Sequence, residues 1–286
     1  MPVIFRFMRL LLILLVPIIL FSCKPLTLSG EYDGKYKDFE FKIDENLQNS
    51  IYLPKSPNGG AILFLPSCTG VQGWNFRDIK KYWLNPLLKS GFVVGVVDYN
   101  ASRNASRPWN CGKNKHLSGH RLVRDVFNGV QALAAVPGVE KDKIFTIGTS
   151  LGAQIGAEAI SRKYTKVAQK ENLITPRAHI GLYGGCSYPS RSYLTADITS
   201  PVLWLSGGRD VEVGDGCNDF LFNRIIRSQP DSKFVLYKNA THCWDCSQLN
   251  GRSKQTAYGI QTYIFDAEIT NSSQAETLKF IRKLMN

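Results

Sequence analysis

Gly148-Thr149-Ser150-Leu151-Gly152 constrains the fold of this chain more than any other stretch. It follows a short β-branched run, Lys143-Ile144-Phe145-Thr146-Ile147, and precedes a small-residue helical segment, Ala153-Gln154-Ile155-Gly156-Ala157-Glu158-Ala159. Gly-x-Ser-x-Gly carries chemistry only between a strand and a helix. There the serine occupies a strained turn that flanking glycines leave uncrowded, and its hydroxyl stands above the sheet edge. The helix N-terminus then points at that hydroxyl, and an otherwise weak nucleophile becomes usable for acyl transfer. A solvated serine in a tight Gly-rich turn is the plain alternative.

A serine nucleophile needs a base and an acid. In one of the known triad orders the serine is followed by an acid and then a histidine, each on a loop after a strand. The apolar run Pro201-Val202-Leu203-Trp204-Leu205 ends in Ser206-Gly207-Gly208-Arg209-Asp210, which places Asp210 at the carboxyl end of a buried parallel strand. The next run, Lys233-Phe234-Val235-Leu236-Tyr237, leads into Lys238-Asn239-Ala240-Thr241-His242. The chain has four histidines; His116 and His120 precede the serine and His179 begins a strand, so His242 is the expected base. Glu212 and Asp215 are fallback acids in the loop of Asp210, and Asp245 is a weaker one because it shares the loop of His242. Two backbone N–H groups are expected to hold an oxyanion, that of Leu151 and that of Cys68. Cys68 lies in Pro66-Ser67-Cys68-Thr69-Gly70, directly after the strand Ala61-Ile62-Leu63-Phe64-Leu65.

With these residues in hand the chain resembles the dienelactone hydrolase-like α/β-hydrolases, in a bacterial lipoprotein-like branch. The resemblance is carried by the Pro66–Gly70 loop, Val96-Val97-Asp98, Gly148–Gly152, Leu182-Tyr183-Gly184-Gly185-Cys186, Gly207-Gly208-Arg209-Asp210 and Ala240-Thr241-His242, over residues 50–285. It is specific for the α/β-hydrolase fold and the Ser150-Asp210-His242 triad. The alternation of strands and helices likewise reads as a mostly parallel, doubly wound sheet with helices on both faces. No insertion is long enough for a large lid domain, and neither a cofactor nor a metal is expected. Founding members of the family use a cysteine nucleophile. Serine at position 150 favours ordinary ester hydrolysis over the dienelactone substrate, and the expected activity is cleavage of carboxylic esters or lactones. A serine peptidase is the second enzymatic reading, although the additional propeller domain of related oligopeptidases has no counterpart here. A non-catalytic binding lipoprotein on the same scaffold is the competing class.

The N-terminus sets the expected compartment. Arg6 and Arg9 precede the apolar run Leu10–Leu20, which is too short for a membrane span and suits a secretory signal. It ends in Leu20-Phe21-Ser22-Cys23, which resembles a bacterial lipobox, with Cys23 diacylated and first in the mature chain. The expected organisation is a lipoprotein signal over 1–22, a tether over 23–36 and one hydrolase domain over 37–286. The outer membrane facing the periplasm is the favoured location. Seven cysteines minus Cys23 leave an even set, Cys68, Cys111, Cys186, Cys217, Cys243 and Cys246, as expected for disulfides in an oxidising compartment. Pairing is left open, with Cys186–Cys217 favoured because both lie just beyond neighbouring strands. Zinc on His242-Cys243-x-x-Cys246 lacks a fourth ligand and competes with the triad for His242.

Net charge is +12 for the whole chain, or +10 once Arg6 and Arg9 leave with the signal. Part of the excess lies at a helix end, on Arg162, Lys163, Lys166 and Lys170. Part lies between Asn100 and His116, where Arg103 and Arg107 form a possible substrate rim together with Lys113 and Lys115. No nucleic-acid recognition motif accompanies these charges. Helices are expected over 75–89, 119–135, 151–164, 217–228 and 272–285. Phe39–Ile43 and Ser50–Leu53 read as antiparallel edge strands, and the remaining apolar runs as strands covered on both faces. Asn100, Asn104, Asn239 and Asn271 open Asn-x-Ser/Thr triplets, but the lipobox argues against a glycosylated origin.

Overall fold

The computed structural model describes residues 26–28, 50–71, 74–99, 119–188, 191–213 and 217–286. The expectations for Cys23, Phe39–Ile43, Asn100, Arg103, Asn104, Arg107, Cys111, Lys113, Lys115, His116 and Asp215 lie outside them. Strands and helices alternate, as the sequence pattern requires. In chain order they are β1 (Ile51–Tyr52), β2 (Ala61–Leu65), α1 (Trp74–Ile79), a π-helical turn (Lys80–Leu84), α2 (Asn85–Lys89), β3 (Val93–Val96) and α3 (Gly119–Ala134). Then follow β4 (Ile144–Thr149), α4 (Leu151–Ala159), α5 (Arg162–Lys170), β5 (Ala178–Leu182), β6 (Ser187–Tyr188), β7 (Arg191–Ser192) and β8 (Val202–Gly207). The chain closes with α6 (Asp219–Ser228), β9 (Lys233–Tyr237), a 3₁₀ turn (Ser247–Leu249), β10 (Ser253–Thr256), β11 (Gly259–Thr262) and α7 (Ala267–Met285).

Seven strands form one sheet in the order β1-β3-β2-β4-β5-β8-β9. All neighbours run parallel except β1, which pairs antiparallel with β3 (Ile51 opposite Gly95). Parallel strands must be covered on both faces, and alternate side chains of the same strand serve the two covers. Ile62 and Phe64 of β2 pack towards Trp83, Leu87, Phe280 and Ile281, from the first helical segment and α7. Ala61, Leu63 and Leu65 pack towards Val123, Phe127, Ile155 and Tyr164, from α3, α4 and α5. Beneath β8, Trp204 meets Ala153, Phe222 and Ile225, from α4 and α6. Edge strand β9 departs from the expectation of double cover, since Lys233 and Leu236 are exposed.

Three helices differ from the expected spans for identifiable reasons. The helix expected over 75–89 is continuous but loosens to π geometry before Pro86, where Asn85 N–H reaches back to Lys80 O. Proline offers no N–H to the turn before it, and the Tyr82 carbonyl accepts from Gln274 Nε2 of α7 instead. The helix expected over 151–164 breaks at Ile160–Ser161. The Ile160 carbonyl is taken by Thr199 N (2.9 Å), and Ser161 is extended in a bridge to Ile198. The last helix starts early, at Ala267, because Asp266 caps it by accepting Ile269 N–H at 2.9 Å.

Residues 27 and 28, within the stretch read as a tether, are seated on the body of the domain. Leu28 is buried, its N–H donates to Glu171 at 3.0 Å, and Arg124 Nη1 donates to Thr27 O at 3.2 Å. No helix among the described residues is long and apolar enough to cross a membrane.

Candidate active site

Ser150 stands where β4 ends and α4 begins, with φ 51° and ψ −112°. A non-glycine residue at positive φ carries strain of about 1–3 kcal/mol, tolerated only where packing enforces it. Here both flanking glycines are required by space. A Cβ on Gly148 would fall 2.3 Å from the Gly152 backbone, and a Cβ on Gly152 would fall 2.0 Å from Leu65 O. The turn is fastened by Ser150 N–H donating to Leu182 O of β5 at 2.9 Å. The glycine pair of the sequence motif thus lets α4 start directly against the ends of β2 and β4.

The structure brings Ser150, His242 and Asp210 into one hydrogen-bonded line. His242 Nδ1 lies 2.8 Å from Asp210 Oδ2, and His242 Nε2 lies 3.1 Å from Ser150 Oγ. A carboxylate only accepts, so Nδ1 carries the proton and Nε2 is free to accept from the serine hydroxyl. Asp210 follows β8; its Oδ1 accepts Glu212 N–H at 2.9 Å, which fixes the carboxylate plane. His242 follows β9. The two loops meet closely: Arg209 N–H donates to Ala240 O at 2.9 Å, and a Cβ on Gly207 would fall 2.6 Å from that same oxygen. The imidazole and the Asp210 carboxylate are almost fully shielded, with side-chain exposures of 5% and 2%. Burial alone would lower the His242 pKa, but the Asp210 and Glu212 carboxylates outweigh it and hold the imidazole above its ordinary 6.5.

Leu151 opens α4, so by helix geometry its N–H has no partner within the helix. Cys68 sits in the turn closed by Gly70 N–H donating to Ser67 O at 2.9 Å, and its thiol is committed to a disulfide. The close approach of Gly152 to Leu65 puts this turn and the start of α4 at the same edge of the sheet.

The remaining acids sort themselves by partner. Asp245 is hydrogen-bonded to residues other than His242. It is buried behind His242, where Trp83 Nε1 donates to Oδ2 at 2.6 Å and Tyr183 Oη–H donates to Oδ1 at 2.8 Å. Burial pushes its pKa up against these two donors. Glu212 does not take the Nδ1 position either. It lies on the other side of the ring, with Oε2 3.8 Å from His242 Nε2. The expected disulfide Cys186–Cys217 is present and joins the end of β5 to the start of α6. Cys243 and Cys246 form a second, local disulfide directly after His242. Cys243, Asp245 and Cys246 cluster as metal ligands would, but both sulfurs are bonded to each other. His179 is a core residue: Nε2–H donates to Ala153 O at 2.9 Å and Nδ1 accepts from Thr146 Oγ1 at 2.9 Å.

Two features escaped the sequence reading. Tyr183, at φ 40°, packs its ring edgewise on His242 with centroids 5.0 Å apart. The hairpin β10–β11 was not expected at all, although Tyr258-Gly259 between two Thr- and Gln-bearing runs is a turn signal. Gln261 on this hairpin accepts Val211 N–H at 2.8 Å, and Thr256 Oγ1 donates to Val211 O at 2.9 Å, strapping it to the loop of Asp210.

Comparison with known proteins agrees with this architecture. Three solved α/β structures are similar in fold. MGS-M1, an alpha/beta hydrolase enzyme from a Medee basin deep-sea metagenome library, has a TM-score of 0.57 at 14% identity, with 88% of this chain and 99% of that one covered. Esterase 2 of Thermogutta terrifontis, in its form phosphoramylated by tabun, gives 0.56 at 13% identity over 82% and 88%. A sugar hydrolase from Lactococcus lactis gives 0.52 at 14% over 82% and 94%. No curated protein matches the chain by sequence. The family comparison matches residues 47–269, from before β1 into α7, and on that match the chain belongs to the dienelactone hydrolase family.

Proposed function

We propose that this protein is a serine hydrolase that cleaves carboxylic esters or lactones through an acyl-enzyme intermediate. The observation that carries the reading is the line Ser150 Oγ–His242 Nε2–Asp210, at 3.1 and 2.8 Å, with the serine in a strained strand-to-helix turn. In the first step Ser150 Oγ attacks the acyl carbonyl while its proton passes to His242 Nε2. Asp210 holds the tautomer and stabilises the imidazolium. The N–H groups of Leu151 and Cys68 receive the developing oxyanion, each well-placed donor contributing about 3–4 kcal/mol. The imidazolium gives its proton to the departing alkoxide. A water activated by His242 then releases the acid.

From the sequence alone we further propose that the protein is exported and lipid-anchored through Cys23, with Arg103 and Arg107 as a substrate rim. The Cys186–Cys217 and Cys243–Cys246 disulfides suit an oxidising compartment. The test is hydrolysis of p-nitrophenyl acetate and butyrate by the wild type, Ser150→Ala and His242→Ala. Turnover in the wild type that is lost in both variants supports the reading; equal turnover in Ser150→Ala rejects it.

A further inference from the structure

Asp210 alone completes a triad, yet a second carboxylate stands at the other nitrogen of the same imidazole. Glu212 Oε2 is 3.8 Å from His242 Nε2, and its side chain is only 16% exposed. It is held from two sides. Tyr263 Oη–H donates to Oε2 at 2.8 Å, and Lys254 Nζ pairs with Oε1. Both partners come from the hairpin β10–β11 and the residue after it, and that hairpin is strapped to Val211 beside Glu212. A carboxylate this shielded, with a cation and a phenol donor dedicated to it, is built into its position.

The geometry points to Glu212 as a second acid of His242, stationed on the Nε2 side to stabilise the proton there after Ser150 has released it. This rests on the serine-hydrolase reading. In the resting state Ser150 Oγ–H donates to Nε2, and Glu212 at 3.8 Å makes no hydrogen bond to the ring. When the bond from Oγ to the acyl carbon forms, the Oγ–H bond breaks and the proton sits on Nε2. The imidazolium then lies between two carboxylates, Asp210 at Nδ1 and Glu212 at Nε2. Attraction grows with charge on the ring, so Glu212 acts on the charged state more than on the neutral one. Lys254 opposes it from behind, and Tyr263 keeps Oε2 aimed at the ring. The other ionisable group against the imidazole, Tyr183, is neutral: burial and its bond to Asp245 push its pKa well up. The Glu212 carboxyl is kept below its ordinary range; burial would raise it, but His242, Lys254 and Tyr263 outweigh that.

The hairpin therefore supplies opposite charges whose removal must move His242 in opposite directions. The experiment is an NMR titration of the His242 ring protons in the substrate-free protein, for the wild type, Glu212→Gln and Lys254→Gln. Glu212→Gln is expected to lower the midpoint by about 0.5 pH or more, and Lys254→Gln to raise it. Glu212→Gln should also reduce kcat severalfold with KM nearly unchanged, as loss of an interaction made in the charged state does. Coincident titrations, or two variants moving the same way, would overturn the proposal. Hydrolysis by Ser150→Ala is read alongside. Lost turnover with unmoved titrations rejects Glu212 alone, whereas retained turnover rejects the parent reading and this role with it.

Discussion

Gly152 and Leu65 touch so closely that position 152 has no room for a side chain: a Cβ there would sit 2.0 Å from the Leu65 carbonyl oxygen. The obstacle is backbone at the end of a central strand, and it cannot rotate away. Gly152→Ala must therefore push α4 off β2, separating Ser150 from the Pro66–Gly70 turn. We expect a destabilisation of about 3 kcal/mol or more, read by urea unfolding, with hydrolysis lost in whatever folds.

Ser150 itself is held at φ 51°. Glycine accepts positive φ without cost, so Ser150→Gly should gain about 1 kcal/mol of stability while losing all turnover. Ser150→Ala keeps the strain and should gain nothing comparable. Thermal unfolding of the two variants beside wild type checks the contrast.

His179 couples stability to pH. Complete burial lowers its pKa to about 4, against the backbone of Ala153 and Thr146, which favours the charged form. The unfolded chain binds a proton near 6.5 and the folded chain does not, so stability is complete above 6.5 and falls as pH drops towards 4. The loss is about 3 kcal/mol from this residue alone. Denaturant midpoints at pH 7 and pH 4.5 should differ by less in His179→Gln than in wild type.

Catalysis should also fall as pH drops, through His242, whose pKa is shifted in the opposite direction to that of His179. Its raised pKa places the acid limb of kcat/KM above 6.5, where an unperturbed histidine would have set it. A limb at or below 6.5 would contradict the two-carboxylate environment.

The Cys186–Cys217 bridge closes a 31-residue separation that contains Asp210. Removing it with Cys186→Ala and Cys217→Ala should cost up to about 3–4 kcal/mol by loop entropy. The activity of the folded fraction should fall as well, since the segment carrying Asp210 loses a covalent fastening and is left to the β10–β11 hairpin and the Arg209–Ala240 backbone bond.

What could be read in the sequence was whatever local pattern fixes. Gly148, Ser150 and Gly152 declare a strand-to-helix turn, and the ends of β8 and β9 locate Asp210 and His242, because parallel strands present their carboxyl ends to one edge. What escaped depends on contacts between distant segments. Nothing near Glu212 says that it faces Nε2 and not Nδ1; that is decided by Asp210 Oδ1 capping its N–H and by Tyr263, 51 residues later. Likewise the π turn before Pro86 is stabilised by Gln274, 192 positions from Tyr82. The split of the helix at Ser161 follows from pairing with Ile198, which no local propensity reports.

The central claim is that Ser150 is a nucleophile activated by His242. It is tested most directly by treating the protein with a fluorophosphonate and mapping the adduct by mass spectrometry. One stoichiometric adduct is expected, on the peptide carrying Ser150, absent in Ser150→Ala and formed at least a hundredfold more slowly in His242→Ala. No adduct, or an adduct on another residue that survives Ser150→Ala, would contradict the account.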